Sequence, residues 1–196
     1  MLPRTFPHDL TKKPKLKGEA LVYAALREAC DDRWTVFYDW SIRGSRRRID
    51  FVAANPDRGL LMIEVKGGMV HDKRGSFRQL ISKSGQRKRI DPFGQLKLAI
   101  CDLLTAARVD ADVPMHQAIW FPEMGQGGLR WQASDHILTR EILINSQFSG
   151  FIDRVLPQQG SVQTIAAVER VMMLLRQAAR AATGDGRTGS ACSAAH

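Results

Sequence analysis

Two apolar runs, Arg48–Ala53 and Leu60–Val65, flank the turn Asn55-Pro56-Asp57-Arg58-Gly59, and each run carries one carboxylate, Asp50 and Glu64. Near-continuous apolar runs of this length suit strands covered on both faces, which calls for helices on each side of a sheet. Pro, Asp and Gly in the intervening segment fit a tight connection. A charge placed in an apolar strand costs free energy unless something compensates it, so a carboxylate in each of two neighbouring strands needs a reason.

The rest of the chain surrounds this pair with alternating helix and strand signals. Residues 1–16 are rich in proline and lysine, including Pro3, Pro7, Pro14, Lys12, Lys13 and Lys15, and read as an extended basic arm. Leu21, Val22, Ala25, Leu26 and Ala29 recur at helical spacing and predict an amphipathic helix from Lys17 to about Cys30. Trp34–Tyr38 reads as a strand. After Gly67-Gly68 a polar stretch with Phe77, Leu80 and Ile81 reads as a short hairpin ending in the basic run Gln86-Arg87-Lys88-Arg89, with His71-Asp72 in a turn. Asp91-Pro92 is a helix start, with Asp91 as N-cap and Pro92 at the first helical position of a helix reaching about Ala107.

His116–Phe121 reads as another buried strand, stopped by Pro122. Helices over about Arg140–Leu156 and Val162–Ala182 complete a domain spanning 17–183, and the small polar residues from Gly184 to His196 read as a disordered tail. A chain of 196 residues fits one such unit. The mixture predicts an α/β domain with a central mixed β-sheet flanked by α-helices.

Charge narrows the partners. The net charge is +9, and residues 1–100 carry 21 basic against 11 acidic side chains while the remainder is nearly balanced. A basic half-domain favours polyanions, nucleic acid above all. The Arg46-Arg47-Arg48 run and Arg87-Lys88-Arg89 are the candidate contacts to DNA phosphates, although a generally basic soluble surface produces the same balance. Cys30, Cys101 and Cys192 are odd in number and far apart, which fits neither a disulfide framework nor a zinc site and suits a reducing cytoplasm. No apolar stretch is long enough to span a bilayer, so no membrane role is expected.

The chemistry concentrates at Asp50, Glu64 and Lys66. Residues two apart on a strand face the same way, so Glu64 and Lys66 project together, and hairpin pairing brings Asp50 alongside. Two carboxylates and an ammonium suit phosphodiester hydrolysis. Mg²⁺, for which Mn²⁺ can substitute, takes oxygen ligands from one or two carboxylates plus water and phosphate, and Asp50 and Glu64 are its candidate ligands. Lys66 would orient or help deprotonate a water and offset transition-state charge. The bland alternative is a same-face ion pair of Glu64 with Lys66 at a strand end, and an Asp50 that merely meets Arg47 or Arg48.

Gly18-Glu19 before an apolar helix, Ile49-Asp50-Phe51, Ile63-Glu64-Val65-Lys66-Gly67 and Asp91-Pro92-Phe93-Gly94-Gln95 together resemble the nuclease-related domain, NERD, of the PD-(D/E)XK nuclease superfamily. The resemblance covers roughly Lys17 to Phe121 and departs at Ile49, where the superfamily name has proline. It implies a restriction-endonuclease-like core, metal ligation by Asp50 and Glu64, catalysis by Lys66, and supporting active-site roles for Glu19 and Gln95. It also implies DNA processing, repair or defence, alongside a superfamily-one helicase. No GxxxxGK[ST] motif occurs, so that helicase would act in trans.

Other readings stay open on the residues alone. Glu19 in a first turn is favoured by the helix dipole without catalysis, and Gln95 suits a solvated first turn. A catalytically silent nucleic-acid-binding module, or a helicase-accessory domain docking through the C-terminal helices, would use the same fold. Cleavage of both strands of a duplex would call for two sites and hence a homodimer.

Overall fold

The computed structural model describes residues 4–5, 14, 16–41, 47–73, 76–80, 85–109, 113–125, 136–144, 147–158 and 161–183. The tail from 184 to 196, most of the N-terminal arm and Arg46 lie outside the described residues.

Central strands covered on both faces generate three layers. The elements are, in order, β1 (Arg4–Thr5), α1 (Lys17–Ala29), β2 (Thr35–Ser41), β3 (Arg48–Asn55), β4 (Gly59–Val65), β5 (Val70–Lys73), β6 (Ser76–Leu80), β7 (Arg87–Ile90), α2 (Pro92–Ala107), β8 (Met115–Phe121), β9 (Ile137–Thr139), α3 (Arg140–Ile144), α4 (Phe148–Val155) and α5 (Val162–Thr183). The main sheet has the order β1-β2-β3-β4-β8-β9. Strands β2, β3 and β4 are antiparallel, whereas β4, β8 and β9 run parallel, so the sheet is mixed as expected.

All seven residues of β4 are buried, because its two faces enter separate cores. Leu60 and Met62 pack with Leu96, Ala99 and Leu103 of α2 and Val168 of α5. Leu61, Ile63 and Val65 pack with Val22 and Leu26 of α1 and Phe148 and Phe151 of α4. Burying each such side chain contributes roughly 1.5–3 kcal/mol. The β3–β4 turn depends on Gly59, whose backbone has φ +119° and where an added Cβ would lie 2.1 Å from the Pro114 carbonyl oxygen.

The helix starts follow their local chemistry. Asp91 Oδ1 accepts from the Gly94 N–H at 2.9 Å, and Pro92 opens the helix, as the sequence predicts. Arg108 closes α2 in a left-handed conformation, φ 52°. Helix α1 has no side-chain cap, but Glu19 occupies its first turn. Among the described residues no helix is long and apolar enough to cross a membrane. Cys30 and Cys101 are free thiols, and burial pushes Cys30 up to about 12, with Asp31 adding to the shift.

Two expectations are corrected, and one strand is additional. The stretch after Gly68 is a three-stranded antiparallel sheet, β5-β6-β7, in which His71 and Asp72 lie on a strand and Arg87–Arg89 form part of the third. Only Val70, Phe77 and partly Ile90 reach the core from it, so no apolar alternation reveals its strands. The helix expected over Arg140–Leu156 is two helices, α3 (Arg140–Ile144) and α4 (Phe148–Val155), with residues 145–146 outside the described residues. Strand β9 was not expected: three residues are too few to show a period.

Candidate active site

The β3–β4 ladder pairs Phe51 with Ile63, and one step further sets Asp50 beside Glu64. There the Asp50 carboxylate replaces a backbone acceptor: Oδ2 takes the Val65 N–H at 2.7 Å. On the other side of β3, the ladder to β2 pairs Tyr38 with Phe51 and Trp40 with Ile49, skipping Asp39. Asp39 has φ 50°, a left-handed conformation that aspartate tolerates better than most residues. The local distortion of the sheet thus falls next to Asp50.

Lys66 follows the end of β4, and its backbone N–H donates to the Trp120 carbonyl of β8 at 2.9 Å. Its ammonium is hydrogen-bonded to Glu64 Oε1 and, at 3.1 Å, to Gln95 Oε1 on the first turns of α2. The Glu64–Lys66 pair is not the surface bridge of the bland reading, since the side chains are only 9% and 15% exposed. Gln95 is exposed on the first turns of α2 but is also bonded to this centre. Its amide oxygen joins Glu64 in holding the ammonium.

Glu19 reaches the same neighbourhood from α1. Its Oε2 accepts from the Tyr38 hydroxyl at 2.5 Å, and its charge raises the carboxyls of both Asp50 and Glu64. The close approach of α1 rests on Gly18, where a Cβ would lie 3.3 Å from the Gly67 Cα and 3.1 Å from Pro122 Cγ. Glu123, just past β8, braces the turn after Lys66 by accepting from the Gly68 N–H, and it pairs with Lys17 at 3.8 Å. Tyr38 and Glu123 therefore position the site. Neither belongs to a recognisable motif, and only the fold brings them near it.

The electrostatics follow from this crowding. Burial is the largest cause pushing Asp50 up to about 7, the neighbouring Glu64 charge is the second, and the Val65 hydrogen bond and Lys66 oppose them. Glu64 is also raised, again by burial first, against the pull of Lys66. With both carboxylates ionised, Asp50, Glu64 and Lys66 together would leave one uncompensated negative charge. Arg47 and Arg48 do not neutralise it, because they pair with Asp102 at 2.8 Å and Asp39 at 2.6 Å. Both arginines nevertheless line the cleft of about 390 Å³ that contains Asp50, Glu64, Gln95 and Leu98.

This donor set suits a hard divalent cation. Asp50 Oδ1 and Glu64 Oε2 carry no protein hydrogen bond among the described residues, and both belong to carboxylates that a cation would help to ionise. Among the described residues no group of three or more His, Cys, Asp or Glu side chains is gathered to hold a metal. Two carboxylates completed by water and phosphate match Mg²⁺ better than an all-protein cage does.

A family model described as "NERD: Nuclease-related domain" matches residues 14–122, more than half of the chain. The chain belongs to the nuclease-related domain family. The match ends at Pro122, so it includes the main-sheet strands β2, β3, β4 and β8 together with every residue of the candidate site except Glu123. The mixed sheet with helices on both faces is the α/β, restriction-endonuclease-like architecture of this nuclease-related domain. No curated protein and no solved structure shows significant similarity to the chain.

Proposed function

We propose that this nuclease-related domain is a Mg²⁺-dependent nuclease that hydrolyses DNA phosphodiester bonds, with Asp50 and Glu64 as metal ligands and Lys66 as the catalytic cation. The observation that carries the reading is the buried pair of raised carboxylates, Asp50 and Glu64, lining one cleft, with Lys66 hydrogen-bonded to Glu64. A structural ion pair needs only one carboxylate per ammonium, and burying a second costs several kcal/mol unless a cation offsets it.

A divalent cation bound by Asp50 and Glu64 would supply charge neutralisation at phosphate and a bound water of lowered pKa. Lys66, held between Glu64 and Gln95, presents N–H donors toward the charge that develops on phosphoryl oxygens. Gln95 positions that ammonium, and Tyr38 positions Glu19. Arg47 and Arg48 at the cleft wall are placed to meet a phosphate by exchanging their aspartate partners for it. The basic excess of residues 1–100 supports a nucleic acid as substrate. DNA processing, repair or defence is the setting that we infer.

The test is cleavage of supercoiled plasmid and labelled single-stranded DNA in Mg²⁺, Mn²⁺ or EDTA, by wild type and Glu64→Ala. Metal-stimulated cutting that falls at least about a thousandfold in Glu64→Ala is expected. Equal cutting by both proteins contradicts the assignment, and salt-sensitive binding without cutting by either would make the domain a binding module.

A further inference from the structure

The small sheet β5-β6-β7 presents arginines that enter no ion pair among the described residues. Its register sets Arg78 directly opposite Arg89 and Leu80 opposite Arg87. The adjoining pair, Phe77 and Ile90, faces the core, where Phe77 packs on Phe93 and Phe121 at centroid distances of 6.2 and 5.6 Å. Alternation along the strands turns Arg78, Arg87 and Arg89 to the opposite face, and all three are exposed. No ion pair among the described residues includes any of them. Like charges directly opposed on a sheet destabilise it, by roughly 0.2–1 kcal/mol. An external anion would remove that penalty.

The sheet is also fastened to the catalytic centre. Gln79 Nε2 donates to the Gly67 carbonyl at 2.9 Å, and the Leu80 N–H donates to the Met69 carbonyl at 2.9 Å. Gly67 follows Lys66, and β7 runs through Ile90 directly into the Asp91 cap of the helix that carries Gln95. The whole sheet is therefore inserted between two residues, Lys66 and Gln95, whose side chains meet at 3.1 Å. A strand of substrate held on it is held at a fixed distance from the reacting atoms.

We propose that the outward face of this sheet, centred on the cross-strand pair Arg78 and Arg89 with Arg87 beside them, binds the phosphodiester backbone of the nucleic acid flanking the scissile bond. The inference rests on the nuclease reading of the neighbouring centre. Arg78 belongs to no basic run and gains its role only through strand pairing. Planar guanidinium forks suit phosphate oxygens, and contacts to phosphate carry no base information, so binding here is independent of sequence.

The experiment is anisotropy titration of a fluorescent single-stranded oligonucleotide in EDTA, over a series of salt concentrations, with wild type, Arg78→Ala/Arg89→Ala, Arg78→Lys/Arg89→Lys and the distant control Arg170→Ala. The double alanine variant is expected to bind about tenfold more weakly, with a log K against log salt slope shallower by about 1.4, the single-strand value for two lost phosphate contacts. Its urea midpoint should not fall, since opposed charges have been removed, while the lysine variant and the control keep the wild-type slope. Unchanged affinity and slope in the double alanine variant overturn the proposal, as does a slope lost equally in the lysine variant, which would mark a distorted sheet. Displacement of the oligonucleotide by polyglutamate as effectively as by unlabelled oligonucleotide would assign the face to acidic peptides and overturn it too. Because EDTA separates binding from cutting, a wild type that binds through Arg78 but never cleaves sinks the nuclease reading alone. One that cleaves while the double alanine variant binds normally sinks this proposal alone.

Discussion

The β3–β4 hairpin and the β5–β7 sheet lie next to each other in the chain and carry opposite charge in opposite surroundings. In the hairpin, Asp50 and Glu64 sit among apolar side chains, and their ionisation is suppressed by burial first and then by neighbouring carboxylates, Glu64 acting on Asp50 and Glu19 on both. In the small sheet, Arg78, Arg87 and Arg89 sit in solvent, where water screens their repulsion. A buried charge is costly enough to demand an explanation by itself. An exposed charge is cheap, so a basic run says little until pairing shows which arginines share a face.

The sharpest way to break this contrast is at Lys66, whose ammonium is the only positive charge bonded within the buried centre among the described residues. Lys66→Ala should lower the single-turnover cleavage rate by about 10²–10³-fold, while Mg²⁺ still binds. Cleavage at the wild-type rate would remove Lys66 from the chemistry.

Next in size is a pH effect on the metal-free protein. Asp50 is raised from 3.8 to about 7, so between those values the folded chain keeps a proton that the unfolded chain has released. Stability is then fullest below 3.8 and is lost as pH rises through about 7, by at most about 4 kcal/mol from this group. Urea unfolding of Asp50→Asn in EDTA should show a flatter dependence over the same window; an identical slope would mean that Asp50 is not the buried acid described.

Smaller effects sharpen the supporting contacts. Gly18→Val should cost about 1–3 kcal/mol in urea unfolding, because its side chain would collide with Pro122 and Gly67 where α1 meets β4. Tyr38→Phe removes the hydroxyl that holds Glu19, and should cost about 1 kcal/mol of stability with a several-fold loss of cleavage. Arg33→Ala removes an exposed bridge to Asp31 and should change stability by no more than about 0.5 kcal/mol.

What was legible in the sequence follows the same division. Strands β3 and β4 were readable because apolar burial on both faces leaves long unbroken runs, and α2 because Asp91-Pro92 states its own start. That Asp50 would lie near Glu64 followed from hairpin pairing, and the shared orientation of Glu64 and Lys66 from strand periodicity. The small sheet was not readable beyond a hairpin, since only one side of it meets the core and its third strand is nearly all basic. Tyr38 and Glu123 escaped for a different reason: their roles depend on contacts across 19 and 55 residues, which no local pattern encodes. The ion pairs that occupy Arg47 and Arg48 span 55 and 9 residues and likewise follow from no local pattern.

The most direct test of the central claim, that Asp50 and Glu64 form a divalent-cation site, is the change in melting temperature on adding Mg²⁺ or Mn²⁺ at pH 8, for wild type and for Asp50→Asn/Glu64→Gln. A rise is expected in the wild type and not in the double variant, since only ionised carboxylates reward the cation and ligand binding to the folded state alone stabilises it. An equal rise in both proteins, or none in either at millimolar metal, would contradict it.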